Sequence, residues 1–301
     1  MNKQDMIGFI GLGIMGRPMA ENLIRKGCQL MVFDINQDSV TKLTAAGAIY
    51  AEKAQIGASC RLVFTMLPDG AAVHEVLFAP DGVSAALQAG SLVIDMSSVT
   101  PEEAKTCHER LAGQGVGFLD APVSGGEPKA IDGTLSFMAG GSEEDFATAL
   151  PYLLKMGATA QLIGASGCGC IAKLANQIIV NLTISAVSEA MVFAMKAGVD
   201  PWNVYQAIRG GLAGSVVLDA KAPKMISRDF SPGGKLSINL KDIKNVMATA
   251  HAIDVPLPFT SQLLEVMQSL KVDGHLDDDH SGLVQYFEKL AGIEVSSEIM
   301  P

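Results

Sequence analysis

The chain has 301 residues, of which 49% are apolar, 18% charged and 5% aromatic, and its formal net charge is −10. That length holds one large domain or two ordinary ones with real cores, and the composition excludes an intrinsically disordered chain. The acidity argues against a nucleic-acid or anionic-membrane partner, either of which calls for a basic face.

The start, MNKQDMIGFIG, is polar and then enters a short apolar run. It has neither the longer apolar stretch nor the small-residue cleavage site of a signal peptide, so the expected location is the cytoplasm. Met6–Ile10 reads as a strand. Gly11-Leu12-Gly13-Ile14-Met15-Gly16 follows as a G-x-G-x-x-G, and RPMAENLIRKG then pairs Met19 with Leu23 and Ala20 with Ile24 at helical spacing, up to Gly27. The motif alone is weak, but strand before and helix after are the context it needs. The first glycine permits the tight turn, the second lets backbone approach a pyrophosphate, and the third lets helix and strand pack closely. The helix N-terminus offers N–H groups and its positive dipole end to phosphate. Pro18 fits the first helical turn.

A second strand, Gln29–Phe33, ends at Asp34. A carboxylate there accepts hydrogen bonds from ribose hydroxyls and repels a 2′-phosphate, and no arginine follows it. The expected cofactor is therefore NAD, with NADH preferred and NADPH as the second candidate. Further strands are expected at Leu62–Leu67, Leu92–Met96, Gly117–Asp120, Thr134–Ala139 and Thr159–Ile163, with amphipathic helices at Pro101–Gln114 and Glu143–Met156 among them. Strands apolar throughout, alternating with helices, imply a Rossmann-type, doubly wound, mostly parallel α/β sheet.

After Gly164 the pattern carries no strand. Cys170–Lys196 reads as one long helix, buried rather than membrane-spanning because Lys173, Asn176, Asn181, Glu189 and Lys196 interrupt it. Further helices are expected near 201–209, 215–227, 240–253, 259–272 and 279–291. The expected organisation is a dinucleotide-binding domain over residues 1–164, a long interdomain helix over 165–197, and an all-α domain over 198–301 ending in a loose tail. The five cysteines are odd in number and sit mostly in apolar segments, which suits a reducing compartment. Cys168 and Cys170 lack the companion ligands of a zinc site, and the Asp-rich stretch 273–280 lacks the glycine and terminal glutamate of a calcium loop, so no metal is expected. Asp279 and Ser281 read as helix-start and interdomain residues.

At this point FIGLGIMGRPMAENL, DMSS at 95–98, DAPVSGGEPKAIDGTL at 120–135, GCIAKLANQ at 169–177 and NLKDI at 239–243 together resemble the β-hydroxyacid dehydrogenases, the 3-hydroxyisobutyrate dehydrogenase family. The resemblance covers nearly the whole chain. It implies that Lys173 supplies the proton when a carbonyl is reduced, with Asn176 or Gln177, one turn on, facing the same cleft. The family often has two asparagines there, and this chain has Asn176 followed by Gln177. It implies that Ser124, Gly125 and Gly126 cradle the substrate carboxylate, and that Met66, Leu67 and Ser98 line the cofactor. It also implies that Lys241 reaches over the cofactor or the active lysine while Asp242 orients it. YQAIRGGLAGS at 205–215, LDAKAP at 218–223 and the DGHxxDDHS pattern at 273–281 narrow the implied activity to reversible reduction of tartronate semialdehyde to D-glycerate. A family member acting on 3-hydroxyisobutyrate or 2-(hydroxymethyl)glutarate is the close alternative, and a non-catalytic NAD-binding regulator is the alternative of another class. 6-Phosphogluconate dehydrogenases usually carry a much longer helical domain, and imine reductases usually replace the lysine. A long apolar helix in a family of dimers and tetramers implies a homo-oligomer.

Overall fold

The computed structural model describes residues 6–300. The polar start and the final residue of the expected tail lie outside them. The chain divides into two compact units, one ending at Lys173 and the other beginning at Leu174. The division falls inside the long helix.

In the first unit β1 (Met6–Ile10), α1 (Gly16–Arg25), β2 (Gln29–Phe33), α2 (Gln37–Ala45), β3 (Ile49–Tyr50), α3 (Lys53–Ser59), β4 (Leu62–Thr65), α4 (Gly70–Phe78), β5 (Leu92–Asp95), α5 (Pro101–Ala112) and β6 (Gly117–Asp120) alternate along the chain. β7 (Val123–Ser124), α6 (Gly126–Asp132), β8 (Leu135–Gly140), α7 (Glu143–Met156) and β9 (Gly157–Gly164) complete it. The sheet order is β3-β2-β1-β4-β5-β6-β8-β7, with β9 on β8. β3 to β6 are mutually parallel, β8 runs antiparallel to β6 and β7, and β9 returns parallel to β8. This is the mostly parallel, doubly wound sheet expected, and the order 3-2-1-4-5-6 opens a crevice beyond the carboxyl ends of β1 and β4.

The period-two geometry of a strand explains why these strands are apolar throughout. Phe9, Leu62, Phe64, Leu92, Ile94 and Leu119 enter one core with Met19 and Leu23 of α1. Their neighbours Ile10, Val63, Val93 and Phe118 enter a second core on the opposite face, with Ile56 of α3 and Leu77 of α4. Two strands escaped the sequence reading, β3 and β7, because two residues are too few to show a period. The expected strand 62–67 ends at Thr65, since the Leu67 N–H leaves the ladder and donates to Ser97 Oγ at 2.8 Å.

The second unit is built from the greater part of α8 (Cys168–Lys196) together with α9 (Pro201–Ile208), α10 (Val216–Ile226), α11 (Leu236–Ala252), α12 (Pro258–Val272) and α13 (Val284–Ala291). Among its described residues the only strand-like pairing is a bridge between Lys235 and Asp279. That bridge, with the Leu236 N–H on Asp278 O at 2.8 Å, starts α11 a turn before residue 240. α8 is long and apolar enough to cross a membrane by length and composition. Its Leu174, Ile184, Val187, Met191 and Val192 are instead core residues, packed with Leu218, Met225, Leu240, Ile243 and Met267. Trp202 and Tyr205 of α9 lie with ring centroids 5.2 Å apart beside this core.

Asp279, fully buried, takes Lys221 Nζ at 2.9 Å and the N–H groups of Gly233, Gly234 and Ser281. Burial pushes its carboxyl up, but the charges of His280 and Lys221 and these donors outweigh burial and hold it at about 2. Burial lowers the Lys221 ammonium despite the pairing. The anion is thus the better-satisfied partner. Asp279 caps a tight 3₁₀ turn, His280–Leu283, ahead of α13, where one helix over 279–291 was expected.

Candidate active site

Three loops at the carboxyl ends of β1, β4 and β5 meet at the crevice of the first unit. Gly11 has φ +94°, and a Cβ there would strike the Met66 carbonyl, so only glycine fits. A Cβ on Gly16 would strike the Gly11 carbonyl, which is the close helix–strand packing that the third glycine permits. Its two chain neighbours aside, a Cβ on Gly13 would meet no atom of the described residues within 4 Å. Packing among the described residues gives no reason for glycine at 13, whereas a pyrophosphate lying against that backbone does. Among the described residues no side chain caps α1, and its first turn holds no acid, so its positive end is left to the glycine loop. Leu12 is buried, while Gly13 and Ile14 are exposed and Met15 is half-buried. These residues fit a dinucleotide.

Asp34, half-buried past β2, accepts from the Leu12 N–H through Oδ2 and from the Asn36 N–H through Oδ1 at 2.7 Å. It therefore braces the glycine loop, a role sequence reasoning did not assign it. Carboxylate oxygens have lone pairs beyond these two bonds for a ribose hydroxyl.

Met66 and Leu67 follow β4, and Ser98 follows β5; all three are half-buried. Beneath them lies a polar knot that sequence reasoning missed. Asp95 Oδ1 accepts from Thr65 Oγ1 at 2.8 Å and from Ser97 Oγ at 2.5 Å, and Ser97 Oγ accepts from Leu67 N–H. Asp95 is 1% exposed, and burial pushes its carboxyl up to about 6 against the pull of the two hydroxyls. The available signal was a carboxylate ending an otherwise apolar strand, LVID, which GFLD repeats at Asp120.

Ser124 ends the short strand β7, and Gly125 (φ +140°) turns the chain into α6 at Gly126. Lys173 Nζ donates to Val123 O at 2.8 Å, so a lysine fifty positions on in the chain stands one residue from Ser124. Lys173 is half-buried in α8, on the last residue of the first unit.

In the second unit Asn176 Nδ2 donates to Gln177 Oε1 at 2.9 Å, and Gln177 Nε2 donates to Asp242 Oδ2 at 2.6 Å. Lys241 Nζ lies 3.2 Å from Asp242 Oδ1. Gln177 and Asp242 are buried, and Asn176 and Lys241 are half-buried. Both ends of the Gln177 amide are thus engaged within the protein.

The model describing the NAD binding domain of 6-phosphogluconate dehydrogenase matches residues 6–167. One describing the NAD-binding region of NADP-dependent 3-hydroxyisobutyrate dehydrogenase matches residues 167–287. The chain is 43% identical to 2-hydroxy-3-oxopropionate reductase of Escherichia coli (strain K12), over 95% of this chain and 98% of that protein. It belongs to the β-hydroxyacid dehydrogenase family typified by 3-hydroxyisobutyrate dehydrogenase. Another relative in the family, 2-(hydroxymethyl)glutarate dehydrogenase of Eubacterium barkeri, is 34% identical over 98% of this chain and 99% of its own. A crystal structure of a 3-hydroxyisobutyrate dehydrogenase from Salmonella typhimurium superposes with a TM-score of 0.85 at 29% identity, covering 93% of this chain and 99% of that one. Membership makes the protein an NAD(P)-dependent oxidoreductase acting on CH–OH donors.

Proposed function

We propose that the protein reduces tartronate semialdehyde (2-hydroxy-3-oxopropanoate) to D-glycerate with NADH, and runs the reverse oxidation. The observation that carries this reading is the Lys173 Nζ bond to Val123 O, which sets an ammonium beside the Ser124–Gly125 turn. The bound nicotinamide supplies the hydride to the aldehyde carbon. Lys173 polarises the aldehyde oxygen and gives it a proton, and in the reverse direction takes that proton from the hydroxyl. The Ser124 hydroxyl and the N–H groups at Gly125 and Gly126 hold the substrate carboxylate. Of the two amides, Asn176 is the one assigned to substrate, because Gln177 is spent between Asn176 and Asp242. Lys241 and Asp242 support that pair.

On the cofactor side, Gly11 to Gly16 take the pyrophosphate, Asp34 the adenosine ribose, and Met66, Leu67 and Ser98 the nicotinamide half. NADH is favoured over NADPH because Asp34 is anionic and Ile35 and Asn36 bring no cation. A dinucleotide-binding domain over 1–164, the connecting helix and a helical substrate domain from 198 belong to the same reading. So does a cytoplasmic homo-oligomer, supported by five free thiols and by the exposed apolar Ile179 and Phe193 of α8.

The deciding assay compares tartronate, methylmalonate and succinate semialdehydes, each with NADH and NADPH. The highest kcat/KM is expected for tartronate semialdehyde with NADH. Equal or greater efficiency with another semialdehyde would overturn the substrate assignment, and greater efficiency with NADPH the cofactor assignment.

A further inference from the structure

Asp120 makes contacts that the proposed chemistry leaves unexplained. It ends β6 and is fully buried. Its Oδ1 accepts the Gly167 N–H at 2.7 Å and its Oδ2 the Cys170 N–H at 2.9 Å. Those amides belong to the entry and first turn of α8, where a helix has orphan donors and the positive end of its dipole. Capping of this kind normally comes from a serine, threonine or aspartate adjacent to the helix in sequence, at little desolvation cost. Here α8 has no acid in its first turn, and nearby Ser166 has a buried Oγ with no hydrogen-bond partner among the described residues. The cap comes instead from a strand almost fifty positions earlier in the chain. Burial pushes the Asp120 carboxyl up, and the Gly167 and Cys170 amides pull it back.

The junction is also tight. A Cβ on Gly169 would strike the Met138 and Asp120 carbonyls, so the start of α8 lies directly on the backbone of β6 and β8. Three residues past Asp120, the same segment meets α8 again where Val123 O accepts Lys173 Nζ. Residues 120–124 therefore grip α8 at its first turn and at Lys173, and they end on Ser124.

We propose that Asp120 is a positioning residue, which fixes the register of α8 on β6 and so sets Lys173 Nζ against the Ser124–Gly125 turn. This rests on the reading of Lys173 as proton donor. A cap borrowed from the strand that leads into the substrate turn ties two parts of the site to one carboxylate, which a local cap on Ser166 would not do. Misplacing a reacting group by about 1 Å costs up to roughly 10²-fold in rate, so the register matters to the chemistry.

The test is single-turnover oxidation of bound NADH by tartronate semialdehyde, with steady-state KM values, in the parent protein and in Asp120→Asn, Lys173→Ala and the double variant. Asparagine keeps the shape but presents an NH₂ to one of the two helix amides. Asp120→Asn is expected to slow NADH oxidation about 10- to 100-fold with KM for NADH within about twofold. In the Lys173→Ala background it should cause no further loss. The same fold loss in both backgrounds overturns the positioning role and leaves Lys173 as donor. A Lys173→Ala variant with the parent rate overturns the reading of Lys173 and the positioning role with it. Where Asp120→Asn fails to fold, Gly169→Ala, which displaces α8 from β6 and leaves the carboxylate in place, is put through the same cycle. An unchanged rate in either folded variant also sinks the proposal.

Discussion

Two buried or half-buried side chains of the first unit lend themselves to direct tests. Lys173→Ala should leave NADH binding intact and lower kcat about 10²- to 10⁴-fold, the usual range for losing a general acid. Equilibrium NADH titration and steady-state kinetics on one preparation check both halves. Asp95 makes a prediction about pH. Its folded carboxyl titrates near 6, above the ordinary 3.8, so the folded state binds more protons than the unfolded one between those values. Its contribution is fully present below pH 3.8 and is lost as pH rises through 6, on the order of 3 kcal/mol. Chemical denaturation of the parent and of Asp95→Asn at pH 4, 5, 6 and 7 should show the parent losing ground to the variant across that window. Parallel curves would show that Asp95 does not titrate there. These residues also mark how far the sequence was legible. The glycines and Lys173 belong to recognisable strings, Asp34 was readable from its place at the end of the second strand, and the structure brings Lys173 to within one residue of Ser124. The partners of Asp95 and Asp120 were not legible, because they are set by register between strands and by where α8 lands on the sheet. The link from Asp34 to Leu12 likewise depends on β1 and β2 running side by side.

At the scale of elements, the glycine loop separates fold from binding. Gly13→Val adds a side chain whose Cβ, chain neighbours aside, has no atom of the described residues within 4 Å, so the melting temperature should stay within about 2 °C while NADH affinity falls at least roughly tenfold. Gly11→Ala should do the reverse damage first, lowering the melting temperature through its φ of +94° and the Met66 carbonyl. In the second unit, Asp279→Ala leaves Lys221 buried without its partner and removes the cap of the turn before α13. A loss of about 3–5 kcal/mol in equilibrium denaturation is expected. Element boundaries were readable where a physical stop coincided with a sequence stop, as at Gly27 after α1. They slipped where tertiary contacts decide. Met66 and Leu67 look like strand, but Leu67 turns to Ser97, and α11 begins early because residues 235 and 236 pair with 278 and 279.

For the molecule as a whole, the cores are segregated along the chain. Both faces of the sheet draw on residues up to Cys170, and the helical core draws on residues from Leu174 onward. A ligand that binds only the folded first unit adds RT ln(1 + [L]/Kd), about 2.7 kcal/mol at a hundredfold excess over Kd. NADH at that excess should raise the melting transition, and at the same NADH concentration Gly13→Val should cut the rise to about half or less. The general plan of sheet then helices was legible because periodicity changes at Gly164, whereas the division within α8 was not, since an unbroken helix carries no break in its pattern. The single tryptophan of the chain, Trp202, stands beside the helical core. Its emission reports on that core when the titrant is oxidised NAD, which lacks the absorption band by which NADH would quench tryptophan directly. In such a titration a changed emission signals a response carried along the helix beyond the dinucleotide loops, and an unchanged one a response confined to them.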